Sequence, residues 1–234
     1  MPRRAAFLLL AAALTLAGCA ISADLAQPPT VYVDEYVHRD FFPQTTLTPS
    51  NKPMVPQTAL FFPLGNRLQM KNAAYVAQEL SRVFWGRWLK LKVFDTLPFA
   101  ENEPWRDPAA CVARAKAAGF DLAVGGEFTY LLFGGSAGTS TVSLRLDVYD
   151  TASGELIWSM AHAGTMSADR TRDYFVFATK NRLPTEPVAA ILAALAEDLG
   201  KPVKAWNWYE EEQRKKHPQP SPLDDSKTPA KPRQ

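Results

Sequence analysis

The sequence predicts an α/β fold: a three-layer sandwich whose mixed sheet of about five strands, in the order β-α-β-α-β-β-β-α, carries helices packed on it. Two observations predict this. Between residues 57 and 200 the spacing of apolar residues alternates in an orderly way between a period of two and a period of 3.6. On either side lie proline-punctuated stretches that cannot extend such a core, read as a flexible N-terminal arm and a disordered C-terminal tail.

The elements follow in chain order. "TALFFPL" (58–64) is a short apolar run suited to a strand buried on both faces. Residues 70–88 place Ala73, Val76, Ala77, Leu80, Val83, Phe84 and Trp88 on one helical stripe, with Lys71, Gln78, Glu79, Arg82 and Arg87 largely opposite. "LKLKVFDTL" (89–97) then reads as a strand, Leu89, Leu91 and Val93 alternating with Lys90 and Lys92. Residues 108–118 form an Ala-rich helix with Pro108 near its start and Gly119 as its stop. "DLAVGGEFTYLLF" is the third strand. In "TSTVSLRLDVYD", Val142, Leu144, Leu146 and Val148 alternate with Thr141, Ser143, Arg145 and Asp147, as a half-buried strand requires. "DTASGE" turns the chain, with Gly154 placed to take positive φ, and "ELIWSMAHAG" returns. Thr185 opens a last helix whose Val188, Ile191, Leu192, Leu195 and Leu199 form one apolar seam. The first three strands should run parallel with right-handed crossovers, and the last two should form an antiparallel meander.

The N-terminus reads differently. "MPRRAAFLLLAAALTLAGC" has a basic start at Arg3 and Arg4, then an uncharged apolar run from Ala5 to Leu16, too short for a permanent span of about 20 residues. This is a secretory signal. Its end, Leu16-Ala17-Gly18-Cys19, resembles the lipobox of bacterial lipoproteins. The resemblance implies cleavage before Cys19, a diacylglycerol thioether on its sulfur and an N-acyl chain (palmitate) on its amine. More than one acyl chain gives stable anchoring. Ala20, not Asp, follows the cysteine, which resembles the pattern of sorting to the outer membrane. The organisation is thus 1–18 signal, 19–56 lipidated Cys19 and extended Pro-rich arm, 57–204 α/β domain, and 205–234 a short helix followed by tail. In the arm only "TVYVDEYV" could make a short strand; the rest would hold the domain off the membrane.

Composition excludes several classes. The signal holds two of the 26 Lys and Arg and none of the 24 acidic residues, so the mature chain is neutral. No basic face suited to nucleic acid is visible. His38, His162 and His217 are scattered without metal-ligand spacing, so neither a metal nor a cofactor is expected. Cys111 is either a small buried hydrophobe or a thiol that pairs between chains.

One motif demands a decision. Gly134-Gly135-Ser136-Ala137-Gly138 spells G-x-S-x-G, with Asp147, Asp150 and His162 downstream in the order of an α/β-hydrolase. A nucleophile elbow needs a strand, a strained turn and then a helix. Here Thr139, Thr141, Val142 and Ser143 continue with a period of two, so the pentapeptide reads as a flexible hairpin tip. His162 would pair near residue 142 and could reach that tip. An envelope serine hydrolase using Ser136 with His162 is the alternative function. A capture protein for a small ligand at the carboxyl ends of the parallel strands ranks third, because "PLGNRLQ" offers one glycine.

"ALFFPLGN", "AKAAGFDLAVGGEFT" and "VSLRLDVYDTASGELIWS" together resemble the opening strand, third-strand approach and hairpin of CsgG-like and LpoB-like lipoprotein domains, over roughly 57–200. The resemblance implies a sandwich related to the N-terminal domain of the TolB translocation protein, binding and assembly of envelope proteins, and no catalytic residues. Pore formation is not expected. The one hairpin with membrane-strand alternation, 140–162, carries Arg145, Asp147 and Glu155 on its polar side, and no second pair remains. The function expected is a lipid-anchored, non-catalytic periplasmic module that binds a protein partner or its own copies. Tyr174, Phe175 and Phe177, in the long connection before the last helix, and Trp206 and Trp208, near its end, are the candidate partner-binding residues. The other reading of both groups is aromatics tucked onto the domain.

Overall fold

The structure, a computed structural model, describes residues 30–66, 72–135, 138–168, 171–173 and 178–216. Its centre is built by the three longest alternating runs. Strands β6 (Leu122–Leu132), β7 (Thr139–Asp150) and β8 (Leu156–Ser167) form an antiparallel meander, with Leu144 opposite His162 and Val148 opposite both Val124 and Trp158. Asp150 and Glu155 close the β7–β8 turn (Asp150 N donates to Glu155 O, 2.9 Å), and Gly154 sits at φ 76° as its position demands.

β4 (Ala59–Phe61) lies parallel to β6, and β5 (Gly65–Asn66) resumes the same strand after Pro63. The segment read as a strand at 89–97 is different. Helix α1 (Ala73–Leu91) absorbs Leu89 and Leu91 and ends where Lys92 turns left-handed at φ 52°, its N–H bonding Leu89 O. The strand-like contact shifts to residues 96–100. There Ala59 N donates to Thr96 O and Phe61 N to Pro98 O, leaving one parallel bridge between Phe61 and Phe99 on the outer edge of β4.

Helix α2 (Pro108–Ala117) matches its reading: Asp107 caps it by accepting from Ala109 N, and Gly119 follows at φ 82°. Helix α3 (Pro187–Asn207) starts two residues after Thr185, with Pro187 at its first position, and continues through Trp206; α4 (Tyr209–Lys216) follows it.

The sheet reaches seven strands because the segment before residue 57 adds two short ones. β2 (His38–Arg39) pairs with Thr165 and Gly164 of β8, and β3 (Gln44–Leu47) pairs with Ala161, Met160 and Ser159. β1 (Thr30–Asp34), within the run read as a short strand, joins β10 (Ala178–Arg182) and β9 (Thr171–Asp173) in a separate small sheet.

Helices α1 and α3 cover one face of the main sheet, α2 the other, giving three layers. The first interface is the main core, where Phe61, Phe84, Leu144, Leu146, Ile191 and Leu195 are fully buried. Trp88 is its keystone. It has no exposed surface, packs near Phe84 and Phe94, and donates from Nε1 to Ala196 O at 2.8 Å. α3 approaches it so closely that a Cβ on Gly200 would lie 2.9 Å from that nitrogen. On the far face Phe62, Trp105, Cys111, Val112, Ala115 and Ala123 form a second cluster. A Cβ on Gly125 would sit 2.0 Å from the Trp105 ring.

Candidate functional site

Of the two candidate catalytic residues, only His162 falls among the described residues. Ser136 lies outside them. The strand that leaves its loop starts at Thr139, which pairs with Ser167, five residues along β8 from His162. At the rise of an antiparallel strand that separation is about 17 Å. His162 alternates inward with Trp158 and Met160 and is buried under α3, where its Nε2 lies 3.3 Å from Asp198 Oδ2.

That pair belongs to a charged cluster. Asp198 sits on the apolar seam of α3 and accepts from the Arg39 guanidinium of β2, with Lys201 Nζ at 3.6 Å. Burial pushes the Asp198 carboxyl up, but hydrogen bonds from Arg39 and His162 outweigh it and hold the group below the usual carboxylate range. Immediately before it and turned toward the surface, Glu197 is paired with Arg87 and Lys201 and is likewise lowered. The imidazole is thus oriented by a carboxylate, as a base would be, but under α3 and toward an ion pair that ties a peripheral strand to the core. The arrangement can clamp β2 onto the domain. Among the described residues, the hydrogen bond given to the His162 ring goes to Asp198 and to no hydroxyl or thiol.

Trp206 and Trp208 are half-buried on the sandwich. Trp206 meets Trp158 edge-on and donates from Nε1 to Asn51 O at 2.8 Å; Trp208 donates to Val93 O at 3.0 Å. Their N–H groups therefore pin α3 to the chain at either side, while the Trp206 ring also lines a cavity of about 510 Å³ with Leu47, Pro49, Asn51, Lys52 and Ile157. Tyr174, Phe175, Phe177 and Cys19 lie outside the described residues.

Sequence reading missed a second set of aromatics. Between β2 and β3 the chain bows outward at Asp40–Pro43, where Phe41 is 86 % and Phe42 73 % exposed, one ring edge-on to the other at 4.5 Å. They border a cavity of about 660 Å³ that also touches Arg39, Pro43, Asp198 and Pro202. A third cavity, about 670 Å³, opens at the carboxyl ends of β4 and β5 beside Gln78, Trp105 and Arg106, where the small-ligand reading would place its site. Among the described residues no cluster of His, Cys, Asp and Glu could hold a metal ion, and no helix is long and apolar enough to cross a membrane.

Among known proteins, no family model and no curated sequence matches this chain. Solved structures similar to it include the PelC dodecamer of Paraburkholderia phytofirmans, at 13 % identity and TM-score 0.47, covering 73 % of this chain and 97 % of that one. The LpoB C-terminal domain of Salmonella enterica is similar at 13 % identity and TM-score 0.32, covering 50 % of this chain and 86 % of that one. Lipoprotein GNA1162 of Neisseria meningitidis is similar at 12 % identity and TM-score 0.38, covering 63 % and 98 %. These figures transfer no function to this chain.

Proposed function

We propose that this chain is a lipid-anchored, non-catalytic envelope lipoprotein whose α/β domain binds or assembles proteins on the periplasmic side of the outer membrane. The observation that carries the reading is Leu16-Ala17-Gly18-Cys19 directly behind a charge-free apolar run. Lipid on Cys19 supplies the membrane contact, and the CsgG-like and TolB-like kinship expected over 57–200 belongs to the same reading. The state of His162 fits it: the imidazole is buried and engaged with Asp198. Tyr174, Phe175, Phe177, Trp206 and Trp208 are the proposed partner-contacting aromatics.

Crosslinking in intact cells, followed by identification of the trapped proteins, tests this reading. The wild-type chain and a Ser136→Ala variant should trap the same envelope protein or a second copy, and Cys19→Ala should lose it together with membrane attachment. A Cys19→Ala chain that stays in the membrane fraction, or a Ser136→Ala chain that loses its cellular effect while its crosslinks persist, would overturn the reading.

A further inference from the structure

β3 stands at the outer edge of the main sheet. One side of it pairs with β8; the other has no strand partner among the described residues. Of the residues from Asp40 to Lys52, "DFFPQTTLTPSNK", all are exposed except Pro43 and Pro49. Free edges are ordinarily guarded by charge, which prevents another strand from adding. Between Pro43 and Pro49 this edge carries none, and it is flanked by the most exposed aromatic pair among the described residues.

We propose that the chain pairs with a second copy of itself through β3, in an antiparallel two-fold contact centred on Thr46. Four features of the segment point there. First, the β3–β8 ladder skips Thr46: Thr45 faces Met160 and Leu47 faces Ser159. Such an extra residue is left out of its own ladder, so its backbone groups are free to pair outward. Second, Pro43 and Pro49 lie three residues to either side. The backbone ladder centred on Thr46 therefore ends where both chains have a proline, where a missing N–H does least harm, and the residues beyond it meet through side chains alone.

Third, the segment is self-complementary about that point. Residues equidistant from Thr46 face each other, so Asp40 meets Lys52 of the second copy, and the reverse pair forms by symmetry. Lys52 Nζ rests 3.1 Å over the Tyr209 ring of its own chain, which holds the ammonium in place and leaves N–H donors for the carboxylate. Arg39 does not oppose Lys52, because its guanidinium is held by Asp198 of its own chain. Fourth, Phe41 and Phe42 come opposite Asn51 and Ser50. Those residues rim the 510 Å³ cavity whose walls include Pro49, Ile157 and Trp206. Each copy thus offers a knob on one side of β3 and a hole on the other, and the two-fold seats both knobs.

The size is adequate. A buried aromatic covers roughly 150–250 Å², so the two phenylalanines together supply about 300 Å² of the ~800 Å² per partner that a standard interface needs. Exposed residues 44–48 and 50–52 supply further surface. A lipid surface suits this face less well. Segments that lie in the membrane interface carry free Lys or Arg beside their aromatics, whereas Asp40 adjoins Phe41 and the two cations around their cavity, Arg39 and Lys201, are paired with Asp198 and Glu197 of the same chain.

This inference rests on the reading of the domain as one that works through its surface, and it narrows that reading to one face and one partner. Its test is separate. Opposed residues in an antiparallel pair have Cα atoms about 4.5–5.5 Å apart, within disulfide range. The full chain carrying Thr46→Cys, oxidised in intact cells, should give a disulfide-linked dimer well above that of Ser153→Cys, an exposed position in the β7–β8 turn. Adding Lys52→Asp should cut the yield about tenfold, as like charges replace two opposite pairs, and adding Asp40→Lys as well should restore it. Thr46→Cys forming no more dimer than Ser153→Cys overturns the proposal, as does charge reversal without rescue. Vesicle binding that a Cys19→Ala chain retains and loses on adding Phe42→Ser, with no Thr46→Cys dimer, would assign the face to lipid and also overturn it. Capture of a different envelope protein by the crosslinking above, with no Thr46→Cys dimer, would sink this inference and leave the general reading standing.

Discussion

Asp198→Asn tests most sharply whether the His162 cluster is a structural clamp. The substitution keeps the side-chain volume and removes the charge, so no cavity confuses the result. Breaking a buried ion pair by deleting one partner costs about 3–5 kcal/mol. Arg39 is 31 % exposed and recovers part of its solvation, so the expected loss is nearer to about 2–3 kcal/mol. For a domain of this size that lowers Tm by about 4–12 °C. The sign of the pH dependence follows from the lowered carboxyl of Asp198, pushed up by burial and held down by Arg39 and His162. A lowered carboxylate contributes stability that is fully present above its unfolded value of about 4 and is lost as pH falls through its folded value. Thermal melts by circular dichroism should therefore show the full gap between wild type and variant at pH 7, closing as pH drops from about 5 toward 3. Hydrogen exchange should quicken first at His38 and Arg39 and at their partners Thr165 and Gly164. A gap below about 1 °C at pH 7, or one that persists unchanged at pH 3, would refute the clamp.

Other consequences are simpler to measure. Trp88→Ala removes a fully buried ring and the hydrogen bond to Ala196 O, and should cost about 3–5 kcal/mol in urea unfolding. Gly125→Ala should destabilise by about 1–3 kcal/mol, because its Cβ would overlap the Trp105 ring, and Trp105 fluorescence should shift with it. Burial raises the Cys111 thiol above its ordinary value and hides it. A thiol reagent at pH 8 should therefore label Cys111 slowly in the folded chain and at the ordinary rate in guanidinium.

Much of the fold was legible because its central strands and helices advertise themselves locally. Val142 to Val148 alternate strictly, so β7 could not be missed. Pro108 and Gly119 bracket α2 by conformational preference alone. The strand read at 89–97 failed for an equally local reason. Leu89, Leu91 and Val93 mimic a half-buried strand, and the helix that contains the first two ends at Lys92, with no glycine to announce its left-handed stop. β2 and β3 left no trace, since strands of two and four residues are too short for an apolar period and owe their existence to β8, more than a hundred residues away. The charged cluster was half visible. His162 stands out in the sequence; Asp198 is less conspicuous, although it lies three residues after Leu195 and seven after Ile191, a carboxylate on the apolar seam of its helix. A charge in that position implies a buried partner. Arg39, 159 residues away, could be named only by the fold.

The central claim, that this domain works through its surface and runs no reaction, is tested most directly by exposing the full chain to a fluorophosphonate probe. The account predicts no covalent label on Ser136 above that of Ser136→Ala. A label on Ser136 that disappears in both Ser136→Ala and His162→Ala would contradict it.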